Sequence, residues 1–237
     1  MSTTQTQTPA ESFEAIPPLE NGDCLTREEF YRRWEAMPDL KCAERIEGIV
    51  YVAAAIRRKK HGQPRSHFVA WLANYHAETP GTDVGDNATA QLDPDNDPQP
   101  DSYLLILPEY GGQCRFTDDD YISGGPEFIG EIAASSASRD LHQKFHVYRR
   151  NGVREYVVWK TMENEIVWFR LQNDVYVEVE PENGILKSSV FPGLWLDAAA
   201  MIRGDLKSAL ATLAEGIATP EHAAFVKQLE SQRTTAD

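Results

Sequence analysis

Residues 125–159 read GPEFIGEIAASSASRDLHQKFHVYRRNGVREYVVW, and this stretch decides the fold. Phe128-Ile129-Gly130-Glu131-Ile132-Ala133 is an apolar run of the length of a buried central strand, interrupted by one carboxylate. Ser135-Ser136-Ala137-Ser138 offers hydroxyls to the free amides of a first helical turn. The helix it opens reaches about Arg150, with Leu141, Phe145 and Tyr148 on its buried stripe. Asn151-Gly152 tolerates positive φ and closes the helix, and Val153 to Trp159 is a β-branched and aromatic strand. The stretch is therefore a strand-helix-strand unit.

The flanks extend it into a mixed α/β chain. Residues 1–20, rich in Thr, Gln, Ser, Pro and Glu, are expected to form a disordered tail. Thr26-Arg27-Glu28-Glu29 forms a capping box that opens a helix through about Met37, ended by Pro38. Apolar residues two apart around Gly48 make residues 44–52 a hairpin. An amphipathic helix spans Ser66 to Ala77, followed by a strand near 84–92, the turn-rich DPDNDPQP, and the apolar strand Tyr103 to Leu107. Glu165 to Leu171 and Val175 to Glu180 are antiparallel strands, and two helical segments parted near Thr219-Pro220 end the chain.

Composition narrows the function classes. A chain of 237 residues, 41% hydrophobic and 10% aromatic, suits one main folded domain. No run approaches the roughly 18 apolar residues of a membrane helix, and the N-terminus lacks the pattern of a secretory signal, so a cytoplasmic protein with no membrane contact is expected. Cys24, Cys42 and Cys114, an odd set with no C-x-x-C spacing, suggest reduced thiols. A net charge of −14 repels phosphate backbones, so any nucleic-acid contact must be local. Its best candidate is Arg57-Arg58-Lys59-Lys60-His61 with Arg65, although such a run also suits a solvated turn.

The chemistry rests on a few charged residues in apolar surroundings. Glu131 inside a buried strand needs a partner or a metal. Asp101 stands at the mouth of the preceding apolar strand, so two neighbouring strands place an acid at one edge of the sheet. Close carboxylates repel, and Mg²⁺ or Mn²⁺, which prefers oxygen ligands, resolves the conflict. Lys144 has two readings: a snorkelling lysine paired with Asp140, or an ammonium steering a water or phosphate. Glu44 can belong to the site or point outward from the hairpin, and Glu47 is expected outward. Asp140 is expected as a helix-end charge or a partner of the lysine. His142 and His146 do not continue H-E-x-x-H and are expected in surface or packing roles. No G-x-S-x-G elbow, P-loop or dinucleotide fingerprint is present.

E-R-I-E-G at 44–48, P-D at 100–101, G-P-E-F-I-G-E-I-A-A-S-S at 125–136, D-L-H-Q-K at 140–144 and Y-R-R-N-G-V-R-E-Y-V-V-W at 148–159 together resemble the Uma2-like (DUF820) family of the PD-(D/E)XK superfamily. The resemblance spans roughly residues 26–200. It implies a restriction-endonuclease-like fold, a mixed β-sheet core flanked by helices, occupying residues 21–200 with a C-terminal helical extension at 201–237. It further implies a Mg²⁺- or Mn²⁺-dependent endonuclease acting on DNA, with Asp101, Glu131 and Glu44 as metal ligands and catalytic acids and Lys144 as the catalytic lysine. In the superfamily's usual pattern that lysine follows the acid by two residues, where this chain has Ala133. On this reading Arg149-Arg150 would approach phosphates together with the 57–65 segment. The alternative is a non-catalytic interaction protein that keeps the fold, as a homodimer packed through strands such as 165–180.

Overall fold

The computed structural model describes residues 15–53, 55–134 and 140–234. A six-stranded sheet carries β3 (Thr82–Gly85), β5 (Ser102–Ile106), β8 (Phe128–Ala133), β9 (Glu155–Lys160), β10 (Glu165–Gln172) and β11 (Val175–Glu178). Its spatial order is β11-β10-β9-β8-β5-β3. Within this sheet, among the described residues, only β8 and β9 run parallel, and a parallel pair needs a crossover, here supplied by a π-helical turn, Asp140–Lys144, leading into α3 (Phe145–Arg150). The expected helix cap at Ser135 to Ser138, and most of the expected N-terminal tail, lie outside the described residues.

The strands β5 and β8 are buried along their whole length because both faces are covered, by helices over β8 and, over Tyr103 and Leu105 of β5, by a cluster of Ala90, Cys114 and Ile122. Side chains alternate between those faces. Phe128 and Ile132 turn to the face of α2 (Gln63–Ala77), joining Phe68, Trp71, Leu72 and Tyr75 in the main core. Ile129 and Ala133 turn to the other face, with Tyr148, Tyr156 and Val158. Glu131 shares the parity of Ile129, so the period of two aims it at α3. Gly130 permits this packing, since a Cβ there would stand 2.4 Å from the Phe68 ring and 2.6 Å from Ser102 Oγ.

The N-terminal part is α1 (Arg27–Glu35) and the hairpin of β1 (Ala43–Ile46) and β2 (Ile49–Val52). Glu47 (φ 53) and Gly48 (φ 75) both take the left-handed conformation that a tight two-residue hairpin turn needs. The hairpin is tied to the 93–97 loop by the fully buried pair Arg45–Asp97 at 2.7 Å, and the guanidinium also donates to Leu25 O and Pro94 O. Arg27 Nε closes the cluster 2.7 Å from the other oxygen of Asp97.

Four local expectations are corrected. Thr26 caps α1 through the Glu29 amide, but the Glu29 carboxylate does not reach back; it binds Arg32 and Arg33, and two guanidinium groups outcompete one amide. The 84–92 segment is not one strand. It breaks at Asn87 (φ 53), and β4 (Ala90–Gln91) joins β6 (Arg115–Phe116) and β7 (Ile122–Ser123) in a separate small sheet. The helix expected from Ser66 begins at Gln63, after a π-helical turn, Arg58–Gly62, so most of the cationic run is helical. The C-terminus forms three helices, α4 (Ala198–Arg203), α5 (Leu206–Ile217) and α6 (Pro220–Gln232), because Gly204 takes φ 76 and ends the first. Met201, Leu213, Phe225 and Leu229 from these helices join the main core.

Breaking a buried ion pair strands its partner, at a cost of about 3–5 kcal/mol. Asp97→Ala is therefore expected to destabilise the chain by about that amount in urea unfolding, and a loss under about 1 kcal/mol would contradict the anchoring role of Arg45.

Candidate active site

At the rim of the sheet the register decides which acids meet. Ser102 pairs with Gly130, so the residues one step beyond, Asp101 and Glu131, come abreast. The Ile132 amide donates to Asp101 Oδ2 at 2.8 Å, and the Asp101 amide points to Glu131 Oε2 at 3.5 Å. Strand β1 brings Glu44 from the far side, where the Gln99 amide lies 3.4 Å from its Oε2. All three acids line a cleft of about 880 Å³ with Asp140, Lys144 and the cations Arg57, Lys60 and Arg65.

Lys144 sits among the carboxylates. Its Nζ is 2.8 Å from Glu44 Oε2, 2.9 Å from Glu131 Oε1 and 4.0 Å from Asp140 Oδ1. Its side chain is 3% exposed, so it does not snorkel to solvent; it is a buried ammonium between acids from β1 and β8. Tyr148 O–H also donates to Glu131 Oε1, at 2.8 Å. Asp140 is buried too, and Tyr156 holds its backbone carbonyl at 3.0 Å. Glu44 is thus turned inward, while Glu47 is exposed and paired with Arg150, as an outward hairpin position implies.

The environment separates the two central acids. Burial, then the like charges of Asp140, Asp101 and Glu44, push Glu131 up to about 8 against the pull of Lys144. Burial also acts on Asp101, but the His61 hydrogen bond and charge, the Ile132 amide and Lys144 outweigh it and hold its carboxyl below the usual value. Tyr148, enclosed and facing Glu131, is pushed well above the ordinary tyrosine value and remains a hydrogen-bond donor.

Sequence reasoning names His61 and Arg65 only as members of a cationic run and Tyr148 only as a buried-stripe residue; it does not foresee their contacts with the acids. His61 Nε2 lies 3.2 Å from Asp101 Oδ2, and Arg65 Nη1 lies 4.0 Å from Asp101 Oδ1. The cationic run at 57–65 was the available signal, but which of its members face the acids depends on the π-helical turn. Arg149 and Arg150 are engaged elsewhere, with Asp174 O and with Glu47 and Asp93, so they do not line the cleft. His142 and His146 are exposed.

The donor set suits a hard cation in kind. Mg²⁺ takes one or two carboxylates and completes its shell with water and phosphate. Asp101 and Glu131 offer such a pair, and Glu131 is raised in part by the negative charges that a cation would offset. Among the described residues, no group of three His, Cys, Asp or Glu side chains forms an all-protein cage.

A mixed sheet covered on both faces, with acids from neighbouring strands and a lysine from the crossover meeting at one rim, defines a nuclease-like fold. A similar fold occurs in the crystal structure of "a putative nuclease belonging to DUF820" from Anabaena variabilis, with a TM-score of 0.55 and 13% identity over 72% of this chain and 97% of that one. Residues 27–199 match the Uma2 family, described as "Putative restriction endonuclease", and the chain belongs to that family. No protein of curated function matches. Among the described residues, no helix is long and apolar enough to cross a membrane.

A carboxyl whose pKa is higher folded than unfolded stabilises the fold fully below the unfolded value, and loses that contribution as pH rises through the folded one. With Glu131 moved from 4.5 to about 8, thermal stability in metal-free buffer is expected to fall across that window. Glu131→Gln should flatten the decline. A variant melting curve that shifts with pH as steeply as that of the native chain would contradict the assignment.

Proposed function

We propose that this chain is a Mg²⁺- or Mn²⁺-dependent endonuclease that hydrolyses phosphodiester bonds in DNA. The observation that carries the reading is the convergence of Asp101, Glu131, Glu44 and Lys144 in a cleft that also presents Arg57, Lys60 and Arg65. Family membership and the nuclease-like fold favour the same chemistry. Asp101 and Glu131 would hold the ion, while Glu44, paired with Lys144 at 2.8 Å, would add a further acid beside it. When bound, it would supply Lewis-acid polarisation of the phosphoryl group and lower the pKa of a water.

The chain's own residues do the rest. Lys144, fixed between Glu44 and Glu131, is placed to hold the attacking water by hydrogen bonding and to offset charge on the phosphoryl oxygens. Tyr148 keeps Glu131 in one orientation. Arg57, Lys60 and Arg65 bind phosphate oxygens along the strand, which supplies the local positive contact that a net charge of −14 otherwise denies. Few cations are involved, so DNA binding should be weak and should fall with salt in proportion to that small number.

Plasmid nicking in Mg²⁺ or Mn²⁺ tests the reading. Lewis-acid stabilisation of several kcal/mol corresponds to at least about 100-fold in rate, so Asp101→Asn and Glu131→Gln should each lose at least that. Chelator should abolish nicking by the native chain. Equal nicking by the native chain and both variants would remove the proposal.

A further inference from the structure

We infer that His61 is a positioning residue for Asp101: its imidazole fixes Oδ2 of that carboxylate, leaving Oδ1 as the oxygen available to a cation or a substrate phosphate. The inference rests on the metal-dependent reading above and deepens it. Two anchors from different elements meet on Oδ2, the Ile132 amide of β8 at 2.8 Å and His61 Nε2 at 3.2 Å. With a carboxylate as acceptor, Nε2 carries the hydrogen. Oδ1 is left toward Arg65, whose Nη1 lies 4.0 Å away.

The imidazole is held for this contact. Its Nδ1 is buried and, among the described residues, has no hydrogen-bond partner, an unfavourable placement that calls for an explanation in function. The backbone beneath it is unusual as well. His61 belongs to the π-helical turn Arg58–Gly62, in which the His61 and Gly62 amides both donate to Arg57 O at 3.0 and 3.1 Å. Such turns are uncommon and concentrate at functional sites. The turn is fastened to the sheet: Thr161 Oγ1 lies 2.7 Å from Lys60 O and 3.4 Å from Ala133 O at the end of the strand that carries Glu131. One short segment therefore holds Asp101 and carries Arg57 and Lys60 at the cleft, so acid alignment and phosphate contact share a rigid support.

Outer partners of metal-binding carboxylates typically change metal affinity by about 10- to 100-fold when removed. Mn²⁺ titration calorimetry of the full chain is the test, with His61→Leu, which removes the donor, and His61→Gln, whose amide N–H can replace Nε2. His61→Leu is expected to weaken Mn²⁺ at least about 10-fold, and His61→Gln to recover most of the affinity. Should the leucine variant fail to fold, His61→Asn, whose shorter amide falls short of Asp101, makes the same comparison. Native affinity in His61→Leu, or equal loss in the leucine and glutamine variants, overturns the inference. A native chain that binds no Mn²⁺ overturns this inference and the metal-dependent reading together. Mn²⁺ binding that weakens in His61→Leu without any nicking by the native chain upholds the positioning role and removes only the nuclease activity.

Discussion

A lysine ammonium enclosed between the acid groups of Glu44 and Glu131 is the interaction on which this site depends. Taking ions out of water costs several kcal/mol each, and their attraction repays that only when geometry is good and the remaining hydrogen-bonding capacity is filled. Lys144 meets the condition with Glu44 and Glu131 at contact distance, and Tyr148 fills a further position on Glu131. The three charges come from the hairpin, the central strand and the crossover turn, so their pairing locks three elements together. The surplus of acids in the same cleft faces the cations on and beside the π-helical turn.

Sheet geometry makes that pairing obligatory. Strand β8 is buried on both faces, and the period of two sends Ile129, Glu131 and Ala133 to the side of α3. A one-residue slip between β5 and β8 would move Glu131 into the aromatic core around Phe68, Trp71 and Phe128, where no cation waits. Correct register is thus favoured twice, by apolar burial on one face and by charge pairing on the other. The buried Arg45–Asp97 pair does similar work for the hairpin, since it fixes the strand that presents Glu44.

An acidic protein with a nuclease-like fold must confine its positive charge. Here the cations that face the cleft stand on or beside the π-helical turn, against the acids, while Arg149 and Arg150 are consumed by partners away from it. Two arginines on the crossover helix are, on the sequence reading, also expected to approach phosphate, beside the 57–65 run. Their fate is settled by nearby partners, the Asp174 carbonyl for Arg149 and the Glu47 and Asp93 carboxylates for Arg150.

The amino-acid sequence by itself determined the local elements: the hairpin at Gly48, the strand carrying Glu131, the crossover that follows and the strand ending at Lys160. Those features follow from side-chain period, turn chemistry and capping, which act over a few residues. It also marked Asp101, Glu131 and Lys144, because a charge amid apolar neighbours needs an explanation. Tertiary structure alone decided that Glu44 turns inward, that Lys144 is buried between acids instead of reaching solvent, that the 84–92 segment divides between two sheets, and that His61 stands against Asp101. Each of these depends on groups separated by dozens of residues, and their energies exist only once strand register and helix packing bring the partners within a few ångströms.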